Sequence, residues 1–166
     1  FANINMDLIV GLPGEGQPEV EHTMREITAL DPDSITVHSL AVKRASRLRM
    51  FRDEYREMTF TNNRMIMDMA ASYAMRAGQS PYYLYRQKNM AGNFENVGYS
   101  KEGKAGIYNI LIMEEVQSIL ALGAGASTKL VLANDRIERI ENVKDIRSYI
   151  DRIDEMIERK RTGIHA

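Results

Sequence analysis

A chain of 166 residues is long enough for one ordinary domain, and about 70% of the surface its unfolded form exposes should be buried. Its 44% apolar and 27% charged residues and its formal net charge of -1 describe a globular protein and argue against nucleic acid or an anionic membrane as its partner. No apolar run reaches the roughly 18–20 residues of a spanning helix, and with no cysteine the stretch offers no disulfide, thiolate metal site or cysteine nucleophile.

The chain opens at Phe1 without an initiator Met and enters a strand-like run by Ile4, so a piece of a longer polypeptide is expected. Ile4-Asn5-Met6-Asp7-Leu8-Ile9-Val10 reads as a buried strand with one carboxylate in its middle, entering the glycine-rich loop 11–16. Pro18 suits a first helical turn, and Val20, Met24, Ile27 and Leu30 predict a helix over about 18–30, stopped by Asp31-Pro32-Asp33-Ser34. Residues 35–40 form a second strand. Residues 43–57 place Lys43, Arg44, Arg47, Arg49, Arg52 and Arg56 among apolar side chains, as a short helix or ordered loop. A second long helix is predicted over 61–77, with Met65, Ile66, Met69 and Tyr73 on one face and Gly78 as its stop. Residues 82–87 then read as a third strand. Strand and helix alternate as in parallel α/β units.

Residues 89–106 carry four glycines and little periodicity, which predicts a long functional loop. Short strands are expected at 108–113, 119–122 and 129–133, the last turning through Asn134-Asp135 into 137–140. The end reads as a helix. Asn142 with Asp145 resembles a capping box, Ile146, Ile150, Ile153 and Ile157 form the stripe, and Gly163 closes it.

Asp7 stands out, because a carboxylate in a buried strand costs several kcal/mol unless paired. Near the C-terminal end of a parallel strand it would face the edge where α/β folds bind ligands; the alternative is a structural cap or a partner for a core arginine. The 11–16 loop lacks the spacing of a phosphate-binding or dinucleotide motif and reads as a tight turn. Gly123-Ala124-Gly125-Ala126-Ser127 admits close approach either of a planar ligand or of another element. His38 reads as a partner for a neighbouring group rather than a metal ligand, since the three histidines lack ligand spacing. Lys43, Arg44 and Arg47, just beyond a strand end, suit carboxylates, whereas Arg52 and Arg56 read as a solvated face.

Asp7-Leu8-Ile9-Val10-Gly11-Leu12-Pro13-Gly14, followed by a helix and Leu30-Asp31-Pro32-Asp33-Ser34-Ile35-Thr36-Val37, resembles the later barrel strands of oxygen-independent coproporphyrinogen III oxidases, which are radical S-adenosylmethionine enzymes. Residues 85–99 are similar to the branch called coproporphyrinogen dehydrogenase. The likeness runs from about Asn3 to the last helix. It implies an α/β fold: the C-terminal half of a partial parallel (β/α) barrel with its substrate-side loop over 1–113, then short extra strands and a closing helix over 114–166. It implies a cytoplasmic parent that oxidatively decarboxylates two propionates of coproporphyrinogen III to vinyl groups, giving protoporphyrinogen IX. By the same resemblance Asp7, Ala41 and the backbone near Ser127 contact S-adenosylmethionine, while Arg44, Arg47, Gln87 and Lys88 are assigned to the tetrapyrrole substrate on chemical grounds. The family's [4Fe–4S] cluster sits on three cysteines that this chain does not contain, so the chain by itself is expected to be inactive. An open barrel edge would invite pairing between copies. Two other readings remain open: a haem-binding, chaperone-like relative without decarboxylase activity, and a non-catalytic α/β interaction domain.

Overall fold

The computed structural model of the chain describes residues 1–41, 47–55, 62–85 and 94–164. It divides into two units, Phe1–Ile107 and Tyr108–Ala166. In the first, strand β1 (Asn5–Val10) leads into helix α1 (Gln17–Ala29), followed by β2 (Ser34–Ser39), a short helix α2 (Arg47–Met50), helix α3 (Arg64–Arg76), β3 (Ser80–Tyr85) and β4 (Asn96–Ser100). Local chemistry sets the helix ends. The Gly16 N–H donates to the Glu19 carboxylate at 2.8 Å, which holds that carboxyl below its usual range, and Pro18 occupies the first turn. Asn63 caps α3 by accepting from the Ile66 N–H, and Gly78 ends it with a φ of 75°.

The four strands form one sheet in the order β1-β2-β4-β3. β1 and β2 are parallel, and β4 is antiparallel to both of its neighbours, so β1, β2 and β3 share a direction. The sheet therefore contains the expected parallel units but is mixed, because β4 separates β2 from β3. The loop expected over 89–106 is corrected at this point: 96–100 is a central strand. Its alternation is genuine, with Val97 and Tyr99 turned to the core side, but Asn96 and Gly98 between them mask it. Gly98 is required by packing, since a Cβ there would overlap the Tyr83 ring.

Helices α1 and α3 cover one face of the sheet. Leu8, Val10, Ile35, Val37 and Tyr99 meet Val20, Met24, Ile66, Ala70 and Ala74 in the core. The Tyr73 hydroxyl donates to Glu21 at 3.0 Å and ties the two helices together. Met65, expected on the buried face of α3, is exposed instead; the small Ala70 and Ala74 take the contact, which brings the helix axis close to the sheet.

In the second unit, α4 (Ile107–Met113) is a helix where a strand was expected, and 119–122 makes only a single bridge from Ile119 to Lys129. Short apolar runs do not discriminate strand from helix by periodicity. β5 (Ser127–Val131) and β6 (Ile137–Glu141) form the expected hairpin, turning through Asn134 at a left-handed φ of 61°. Helices α5 (Ile146–Asp151) and α6 (Ile153–Ile164) follow, with Asp145 rather than Asn142 as the N-cap.

Asn142 is buried, donating to the Gly123 carbonyl at 2.7 Å and accepting from the buried Lys160 ammonium at 2.5 Å. The stripe Ile146, Ile150, Ile153 and Ile157 is exposed. Instead α6 docks through Met156 and Lys160, and Gly163 lets Ile140 pack against its backbone. Both faces have helical spacing; the one able to satisfy Asn142 and admit Ile140 is the one that is buried. Gly163 lies within α6 rather than closing it.

Gly98→Ala should destabilise the protein by about 1–3 kcal/mol through overpacking against Tyr83. Denaturant unfolding of Gly98→Ala and of Gly98→Ala/Tyr83→Ala checks this. The double variant should recover part of the loss.

Candidate functional site

The face of the sheet turned away from α1 and α3 carries the polar chemistry. Side chains alternate along a strand, so Asn5, Asp7 and Ile9 of β1 point away from the helices. Parallel register sets them beside Ser34, Thr36 and His38 of β2. Gly98 and Asn96 of β4 continue the same face, and Tyr83 and Tyr85 of β3 complete it. A register shift between Pro81 and Tyr83 turns both tyrosines onto this face. Their rings lie 6.3 Å apart and nearly parallel, with Tyr82 edge-on to Tyr83 at 4.7 Å.

Asp7 is 62% exposed at its side chain, which corrects the expectation of a carboxylate buried in a strand: β1 is covered on one face only. Its Oδ1 accepts from Asn5 Nδ2 at 2.7 Å. His38 Nε2 stands 3.8 Å from the same oxygen, an ion pair when the ring is protonated. On its other side His38 Nδ1 lies 3.4 Å from the Tyr85 hydroxyl, with the two rings edge to face. Asn5 Oδ1 in turn accepts from Ser34 Oγ at 3.0 Å and Thr36 Oγ1 at 3.3 Å. Tyr83 reaches across Gly98 to the Thr36 side chain; burial pushes its hydroxyl above the ordinary phenol range, with the charges of Tyr82, Tyr85 and Asp7 adding to the shift and Thr36 opposing it.

Beside this network lies a cleft of about 390 Å³, lined by Asp7, Ile9, His38, Ser39, Leu40, Ala41 and Asn96. It sits at the C-terminal ends of the parallel pair β1 and β2, the end at which α/β sheets bind ligands. Asn96 is buried and fixes the rim by accepting from the Ser39 N–H at 2.8 Å. Asp7 and Ala41, singled out on separate motifs, thus share one cleft. Ser127 is in the second unit, where its hydroxyl donates to Glu141 at 2.7 Å at the start of β5. Arg44, Gln87 and Lys88 lie outside the described residues, as does the side chain of Arg47, whose backbone opens α2.

Asn5, Thr36, Tyr83 and Tyr85 belong to the site and were missed. The available signal was period-2 spacing: Asn5 from Asp7, and Tyr83 from Tyr85. The chain has no cysteine, and among the described residues no three His, Asp or Glu side chains group together, so the donor set does not fit an iron–sulfur cluster. Among the same residues no helix is long and apolar enough to cross a membrane.

No protein-family profile matches the chain. It is 45% identical over 159 residues to the oxygen-independent coproporphyrinogen-III oxidase-like protein HemZ of Bacillus subtilis (strain 168). The chain is a homologue of that part of HemZ. The aligned stretch covers 95% of the chain but 32% of HemZ, so the chain spans about a third of that relative's length. The fold agrees with that of coproporphyrinogen III oxidase (HemN) from Escherichia coli, described as a radical SAM enzyme, with a TM-score of 0.56 and 15% identity over 93% of this chain and 35% of HemN.

Tyr83 favours its neutral form on folding, since its folded pKa is raised above the unfolded value of 10.0. That contribution is present below pH 10 and is lost as pH rises through the folded value. Tyr99 in the core shifts the same way, chiefly through burial. Spectrophotometric titration in alkali should therefore show tyrosines ionising late, and Tyr83→Phe should remove one of them while leaving the other.

Proposed function

We propose that the cleft beside Asp7 holds the adenosyl portion of S-adenosylmethionine in a radical enzyme that oxidatively decarboxylates the propionates of coproporphyrinogen III. One observation carries this reading: the carboxylate and the small residue that the family resemblance assigns to the cofactor line the same cleft, at the ligand-binding end of a parallel strand pair. The names of HemZ and HemN and the 45% identity to HemZ support the reaction class.

The site's features suit this ligand. A cleft of about 390 Å³ is within the roughly 300–1,000 Å³ of small-molecule sites. Asp7 keeps its second oxygen, Oδ2, without a partner among the described residues, available to accept from vicinal sugar hydroxyls. Ala41 leaves its stretch of wall without bulk, so that a planar ring can approach backbone. When bound, S-adenosylmethionine supplies the radical that takes hydrogen from the substrate. Thiolates for the family's cluster would have to come from outside this chain. Arg44, Arg47, Gln87 and Lys88 would pair with propionates, fixing which of them faces the cleft. Each propionate would lose a hydrogen atom, carbon dioxide and one electron, the electron leaving to an acceptor outside this chain. A cytoplasmic setting goes with this chemistry. β1 lies at the edge of the sheet, where a further strand, including one from a second copy, would add.

Adenosine probes the cleft without requiring a cluster. Titrated into the protein and followed through amide chemical shifts, it should perturb Asp7, Ile9 and residues 38–41. Asp7→Asn should weaken its binding about tenfold at an unchanged thermal midpoint, in line with the roughly 1.5–3 kcal/mol of a hydrogen bond to a charged group. Unchanged affinity would make Asp7 structural.

A further inference from the structure

We propose that Asn5 is a positioning residue that aims the Asp7 carboxylate into the cleft, an inference that rests on Asp7 being a ligand contact. The argument is one of hydrogen-bond inventory. An amide oxygen has two lone pairs, and Asn5 Oδ1 accepts from both Ser34 Oγ and Thr36 Oγ1. The Asp7 carboxylate fixes which way the amide points: flipping it would set the amide oxygen against an acceptor-only carboxylate, whereas the hydroxyls could take either end. Nδ2 is thereby committed to Asp7 Oδ1, and the contact is short at 2.7 Å.

His38 approaches the same oxygen. Among the described residues both polar contacts of Asp7 therefore fall on Oδ1, and Oδ2 is left as an acceptor on a residue that lines the cleft. An exposed aspartate would otherwise sample several rotamers, and each ligand bound would have to freeze them. Asn5 is not among the residues lining the cleft. It acts through Asp7, and the hydroxyls of β2 hold it in place because parallel register sets Asn5 beside Ser34, two positions before Thr36.

A double-mutant cycle with adenosine as the probe tests this. Asn5→Ala should weaken adenosine binding three- to tenfold, and should have no further effect in an Asp7→Ala background. Ser34→Ala/Thr36→Val, which removes both donors that anchor the amide oxygen, should weaken binding by a smaller factor that also vanishes without Asp7. A carbon-13 measurement reads the same contact without ligand: the Asp7 carboxyl resonance should move in Asn5→Ala. If Asp7→Ala weakens binding and Asn5→Ala does not, the positioning role is overturned while the ligand site stands. Equal weakening by Asn5→Ala in both backgrounds also overturns it, pointing to direct contact or lost fold. If Asp7→Ala leaves affinity unchanged, the ligand reading fails; the positioning contact then stands or falls on whether the carboxyl resonance moves.

Discussion

A chain of hydrogen bonds runs from Ser34 and Thr36 through Asn5 to Asp7 on the sheet face turned away from the helices, and the arrangement of the candidate site depends on it. It links β2 to β1, and the Tyr83 ring of β3 packs over Gly98 on the same face. Each polar group on this face is directed by its neighbour. The opposite face needs no such direction, since α1 and α3 bury it in a dry core. The division of labour follows from strand geometry: residues that alternate along one strand serve stability on one side and chemistry on the other.

That division explains the placement of the cleft. Its walls come from the ends of β1 and β2 and from Asn96, and the parallel pairing of β1 with β2 brings Asp7 and His38 within 3.8 Å. Antiparallel β4 fills the gap between β2 and β3 and seats Asn96 against the end of β2. The segment that reads as a loop thus contains the central strand β4, which joins β2 to β3 and fixes the rim.

The second unit is organised around a buried polar pair. Lys160 and Asn142 bond to each other, and Asn142 holds the Gly123 carbonyl, so the glycine-rich turn is fixed to α6. The turn's small residues serve that packing, with Gly125 donating its N–H to the Val143 carbonyl at 2.8 Å. Glu155 joins Arg152 and Arg159 on the outside of α6, and hydrogen bonds from both arginines hold its carboxyl down at about 2. The ion pairs are solvent-exposed, so they order the surface more than they stabilise the unit.

The sequence by itself determined the β1–α1–β2 unit, the second long helix and its Gly78 stop, and the β5–β6 hairpin, because caps, prolines and glycines act over a few residues. Asp7 and Ala41, assigned to one ligand by the resemblance, were also legible, and both line one cleft. Only the tertiary structure decided that Asp7 is exposed, because a strand's burial depends on whether one face or both are covered. The same holds for the strand at 96–100, whose glycine is a packing requirement set by a tyrosine on another strand. It holds too for the last helix, where Met156 and Lys160 are buried and Gly163 meets Ile140 in preference to Ile153 and Ile157, since complementarity to the hairpin, not hydrophobicity, selects the buried face. Asn5 shows the same limit: an asparagine two positions before an aspartate becomes a positioning device only when a neighbouring strand supplies hydroxyls that anchor its amide oxygen.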